Sequence, residues 1–153
     1  FYTVNTAKLS ENVWKEAEKM LEQIQKYPQK EEYQKLVEAD RINLYEREAE
    51  KGDDRKFLEE TDRVFKENLK GDPAWKLYER KLVYLESKQP DISREFERFL
   101  KKYPKVMDAY VEYSIYLCRN NKMTQAQRVY REGRKQTGMT SKRAEELRRK
   151  LGL

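Results

Sequence analysis

The side chains best suited to chemistry in this chain are cations. Residues 1–127 hold 25 basic and 25 acidic side chains, whereas residues 128–153 hold nine Lys and Arg against three acids, Glu132, Glu145 and Glu146. The whole net charge of +6 therefore sits in the last 26 residues. Arg128, Arg131, Arg134 and Lys135 follow the spacing i, i+3, i+6, i+7, which on a helix places much of that charge on one face. Arg148, Arg149 and Lys150 form a second cluster. Such groups can hold RNA phosphates or an acidic peptide through charge-assisted hydrogen bonds. They are also favoured near helix C-termini by the macrodipole alone, so the pattern has a purely structural reading as well. The candidate partner- or RNA-binding residues are Arg131, Arg134, Lys135, Arg148, Arg149 and Lys150.

Other chemistries find little to work with. The chain has no His, so a histidine base is excluded. One Cys excludes an internal disulfide, and with no His it excludes a Cys/His zinc site. Glu59-Glu60 and Glu145-Glu146 are adjacent pairs. Neighbours on a helix point about 100° apart, so these carboxylates do not converge as acid–base work requires. Asp53-Asp54 reads as a helix cap rather than a metal site. Cys118 reads as a small buried residue, with no His to activate it. The five Gly lie far apart and form no phosphate loop. No catalytic residue, metal ligand or cofactor is expected, and no apolar run approaches the ~20 residues of a membrane span.

The elements that position these groups are helices. Leu, Ile, Val and Phe number 31 of 153, on the border of disorder, but 11 Tyr and 2 Trp add burial that this count omits, and the net charge is modest. Apolar residues recur at three and four, not at two. The first helix spans Ser10 to about Tyr27, with Val13, Trp14, Ala17, Met20, Leu21 and Ile24 in its stripe; Ser10 caps it and Pro28 stops it. A long helix covers about 30–51, with Tyr33, Leu36, Val37, Ile42, Leu44 and Tyr45, and ends at Gly52. The next covers about 55–70, capped by Asp53 or Asp54, with Phe57, Leu58, Val64 and Phe65. Asp72 as N-cap and Pro73 at the first position open a helix over about 73–88. Shorter helices follow at about 92–103, 106–119 and 124–136. The last of these ends at Thr137-Gly138, and Thr140 or Ser141 caps a basic helix within 140–151. Phe1 in place of a starting Met reads as a fragment of a larger protein.

Spacing adds a period. With Pro28, Pro73, Pro104 and Gly138 aligned as terminal breakers, the residues eight earlier are Met20, Phe65, Phe96 and Tyr130, at intervals of 45, 31 and 34. Trp75 and Tyr78 recur 35 residues later as Tyr110 and Tyr113. A helix–turn–helix period near 34 describes an all-α solenoid, in which pairs too thin to bury their own faces stack into a shared seam. The expected repeat core is Trp14, Met20, Phe65, Trp75, Tyr78, Phe96, Tyr110, Tyr113, Ala126 and Tyr130. Ala126 and Gly133 suit close helix crossings. An exposed aromatic stripe would instead stack single-stranded bases.

The clearest stretch, within 73–138, runs Tyr110, Tyr113, Tyr116, a turn at Asn121, then Ala126, Arg128, Val129, Tyr130, Arg131 and Glu132. It resembles the half-a-tetratricopeptide (HAT) repeat. Trp75 to Tyr78 is similar to that repeat's first half, and the surroundings of Phe65 and Phe96 to its second. Leu117 stands where the family usually has Glu, and no Ala-x-Arg precedes Phe65 or Phe96. An ordinary tetratricopeptide array, which shares the architecture of antiparallel helix pairs, stays open; its carboxylate clamp would fall to Lys76, Arg80 and Lys81. The resemblance implies a non-enzymatic, nuclear or nucleolar scaffold in splicing, 3′-end formation or ribosome maturation. Its partner would be a protein or peptide of a ribonucleoprotein assembly, with self-association into a homodimer a further expectation. In the family pattern the residue at Arg128 is structural, which removes it from the surface set. Direct RNA binding through the basic C-terminal helices is the alternative.

Overall fold

A computed structural model describes residues 11–26, 31–67 and 69–153. It is all-helical, with eight helices and no strand among the described residues. They are α1 (Glu11–Gln25), α2 (Glu31–Glu50), α3 (Arg55–Lys66), α4 (Gly71–Glu86), α5 (Ser93–Lys102), α6 (Met107–Arg119), α7 (Met123–Thr137) and α8 (Lys142–Lys150). Ser10, Tyr27 and Pro28, and the side chains of Tyr33 and Val64, lie outside the described residues. The chain forms two compact units, Phe1–Arg63 and Val64–Leu153, so α3 contributes residues to each.

In the first unit, Trp14, Ala17 and Leu21 of α1 form a cluster with Val37 and Leu44 of α2, and Ile24 packs against it. Val37 and Leu44 are seven apart and so share a face. Ile42 and Ala49, also buried and seven apart, define a second face of α2 about 140° away. A helix buried on two sides has no single stripe. Leu36, named among the apolar residues of this helix, is exposed. Met20 is corrected: it is 40% exposed, because the inward positions of α1 are Trp14, Ala17 and Leu21, and Met20 lies at the margin of that face beside Val13.

The other nine expected core residues, Trp14, Phe65, Trp75, Tyr78, Phe96, Tyr110, Tyr113, Ala126 and Tyr130, are all buried. In the second unit the rings form a chain from helix to helix. Phe65 of α3 meets Tyr78 of α4 at 4.8 Å between centroids, and Tyr78 meets Phe99 of α5 at 5.1 Å. Trp75 of α4 reaches Phe99 at 5.0 Å edge-on, and Phe96 of α5 stacks on Tyr113 of α6 at 4.8 Å with planes 8° apart. Each of these contacts adds to plain area burial. Helix α6 packs on α5, α7 and α8. Its approach to α7 depends on Gly133, where a Cβ would lie 2.6 Å from Tyr110 Cβ.

The helix ends follow local chemistry. Gly138 (φ +82°) closes α7 in the left-handed conformation, its N–H donating to Arg134 O, and Ser141 Oγ accepts from Ala144 N at 3.1 Å to open α8. Two expectations shift. Helix α3 stops at Lys66 rather than near 70; Lys102 Nζ donates to the Phe65 carbonyl and, at 3.3 Å, to that of Glu67, taking carbonyls at the helix end. Helix α4 starts at Gly71, with Lys70 rather than Asp72 at the N-cap, because Ala74 N already donates to Lys70 O at 3.1 Å. Asp72 then lies in the first turn, where the macrodipole favours an acid. Pro73 lies there as well, in a turn that needs no donor.

Candidate functional site

Two surfaces of the second unit stand out, a groove between α5, α6 and α7 and a basic surface on α7 and α8. Both exist because α7 buries Ala126, Tyr130 and Gly133 on one side and leaves its flanks open. One flank, with Val129, Glu132 and Gln136, faces Leu100, Lys101 and Pro104 at the end of α5, across a groove of about 510 Å³. Tyr110 and Tyr113 of α6 underlie it, and their polar atoms are engaged: Tyr110 OH donates to Pro104 O at 3.0 Å and Tyr113 OH to Glu97 Oε1 at 3.0 Å. Burial, and then the Glu97 carboxylate, push the Tyr113 phenol up to about 12. Lys105 Nζ ties the far end by donating to Gln136 O and Oε1 at 3.2 and 3.1 Å. Leu100 and Val129 remain half-buried, so the groove has apolar surface to offer.

The other flank of α7 turns toward α8, where Gln127 Nε2 donates to Leu151 O at 2.8 Å. The six sequence-predicted cations do not behave alike. Arg131, Arg134 and Lys135 on α7 and Arg149 and Lys150 on α8 are exposed, and none has a carboxylate within 4 Å among the described residues. Arg148 differs. It chelates Glu145 at 2.6 and 3.0 Å and donates to the Leu153 carbonyl, so it fastens the end of α8 instead of facing a partner. That bond holds the Glu145 carboxyl below its usual range and raises the guanidinium. Arg134 and Arg149 also lower Glu145, so the two helices bring their cations toward one acid.

Two sequence readings are corrected, and the alternative of base stacking falls. Arg128, set aside as structural, is exposed and lines the groove, because it lies opposite Tyr130 and Gly133 on α7. Lys81 cannot serve a clamp with Lys76 and Arg80: it is 5% exposed, with Nζ 3.2 Å from Glu95 Oε2, which also accepts from Tyr78 OH at 2.6 Å. The aromatic stripe offers no stacking platform, since Trp75, Tyr78, Tyr110, Tyr113, Tyr116 and Tyr130 are all buried. Cys118 is half-buried, and burial pushes its thiol up, away from the thiolate. Glu59 and Glu60 part company, Glu59 toward Arg55 and Glu60 toward Arg63 and Arg41. No cluster of three or more metal-binding side chains occurs among the described residues, and no helix there is long and apolar enough to cross a membrane.

The groove itself was not foreseen. Its signal in the sequence is Val129, an aliphatic residue off the buried stripe and facing the end of α5. Compared with protein-family models, curated proteins and solved structures, the chain matches none.

Proposed function

We propose that the chain is a non-enzymatic helical-repeat scaffold of the HAT or tetratricopeptide kind, an α-solenoid of antiparallel helix pairs. It presents a groove or end surface to a protein or peptide partner in an RNA-processing assembly, and a nuclear or nucleolar site goes with that role. The observation that supports this reading is the aromatic seam. Rings at repeat-equivalent positions, Phe65, Phe96 and Tyr130 on one register and Trp75 and Tyr110 on the other, are all buried. Their burial leaves the intervening outer surface for docking, as stacked repeats do. Affinity purification of the full-length protein with and without nuclease tests it. A stoichiometric protein partner retained after nuclease supports the scaffold. Retention of proteins only through RNA, or of none, overturns it.

Direct RNA binding is the second reading, favoured by the exposed cations of α7 and α8 that have no carboxylate within 4 Å among the described residues. It requires RNA affinity that falls steeply with salt. It also requires that affinity to be lost when Arg131, Arg134 and Arg149 are changed to Glu.

A further inference from the structure

We propose that the groove between α5, α6 and α7 receives an acidic peptide segment with an apolar anchor residue, the anchor seating between Leu100 and Val129 and the flanking carboxylates meeting Lys101 and Arg128. The proposal rests on the scaffold reading and specifies its partner. The volume of about 510 Å³ accommodates a large side chain with its neighbouring backbone. The floor suits an apolar group, because the hydroxyls of Tyr110 and Tyr113 are already donated to Pro104 O and Glu97.

The charges around it are arranged unequally. The two acids of the lining are each held by a neutral donor, Glu97 by Tyr113 OH at 3.0 Å and Glu132 by the Gln136 amide at 3.0 Å. The two cations, Lys101 and Arg128, are exposed and have no carboxylate within 4 Å among the described residues. Within the lining the formal charges cancel, and the surplus comes from the next exposed positions of α7, Arg131 and Lys135, at i+3 and i+7 from Arg128. A segment entering from solvent therefore meets open donors at the lips and a positive field beyond them. Arg128 can take a carboxylate in two parallel hydrogen bonds. An apolar floor gives nothing to a phosphate backbone, which distinguishes this partner from RNA.

The test is selection of short random peptides on the folded full chain, followed by fluorescence anisotropy of the selected peptides and of oligouridylate. Selected peptides should share one large apolar residue flanked by Asp or Glu. Lys101→Glu and Arg128→Glu should each weaken them by about tenfold or more. Val129→Glu, checked for unchanged helicity, should abolish binding. A selected set without acids, or affinities within about twofold after charge reversal, overturns the site and leaves the scaffold reading intact. Oligouridylate binding that is lost with Arg128→Glu and indifferent to Val129→Glu assigns the surface to phosphate and overturns the proposal. So does sedimentation showing that Arg128→Glu splits a dimer, which would make a second copy the occupant. No peptide selected at all, with oligouridylate bound, removes the scaffold reading itself.

Discussion

The segment up to Arg63 and the segment from Val64 onward are both helical, yet they are held together differently. In the first unit one cluster of α1 and α2 is mostly aliphatic around the ring of Trp14, Phe57 of α3 is fully buried as well, and charged side chains run between the helices. Lys56 of α3 bonds Glu18 of α1 at 2.7 Å, Arg41 of α2 reaches Glu60 of α3 at 3.8 Å, and Asp40 and Glu60 are themselves buried. Even Trp14 is faced by a cation, Lys51 Nζ lying 4.1 Å from its ring. In the second unit rings join α3, α4, α5 and α6 in turn, and the hydroxyls of Tyr78, Tyr110, Tyr113 and Tyr116 bond to groups on neighbouring helices and turns. Partly buried ion pairs roughly break even against their desolvation, whereas ring burial is a net gain. The second unit should therefore be the more stable, and the first the more responsive to salt.

One Trp lies in each unit, Trp14 in the first and Trp75 in the second. Trp14→Phe and Trp75→Phe variants thus report the unfolding of either unit alone, by fluorescence in urea. The largest effect is expected from Phe99→Ala, since that ring is fully buried and touches Phe65, Trp75, Tyr78 and Tyr103. It should cost the second unit about 3–5 kcal/mol. An equal loss from the first unit's reporter would show that the two unfold as one and dissolve the contrast. Next, Gly133→Ala should cost about 1–3 kcal/mol by overpacking, read by the Trp75 transition, because the added methyl meets Tyr110 Cβ at 2.6 Å.

Smaller still, Glu18→Gln should cost the first unit about 1 kcal/mol, given the partial exposure of Lys56. The Glu18 bond raises the Lys56 ammonium above its ordinary range. High salt should reduce the difference between wild type and variant, while leaving Phe99→Ala unchanged. The smallest effect belongs to Asp91, whose carboxylate accepts Ser93 N at 2.9 Å and is held down to about 2. A depressed acid stabilises the fold above its unfolded value near pH 4, and that contribution fades as pH falls toward 2. Asp91→Asn should remove that small contribution at neutral pH and flatten the acid limb of the second unit between those values, so that variant and wild type converge as pH falls toward 2.

The same contrast explains what could be read beforehand. In the second unit a ring at a helix crossing is hard to replace, so Trp75, Tyr78, Phe96, Tyr110, Tyr113 and Tyr130 stood out by type and spacing. In the first unit the described contact of α1 with α2 is made by small aliphatics beside Trp14, and these carry no such mark. The interval of 45 residues there pointed to Met20, while the buried neighbour is Leu21. Charge was legible as quantity and not as availability. Arg131, Arg134, Lys135, Arg149 and Lys150 are open, Arg148 is engaged by Glu145 and the chain end, and Arg128 proved to be surface. Lys81 is the sharpest case, a lysine drawn inward because Glu95, fourteen residues on, meets it there.

Helix identity, most ends and the ring positions followed from the chain by itself, because periodicity, Gly138 and Ser141 act within one or two turns. Which cations lost their freedom, which face of α2 met which neighbour, and the groove beside Val129 depended on helices distant in sequence. Those outcomes are set by side chains competing for the same space and the same hydrogen bonds, and that competition begins only when the helices meet.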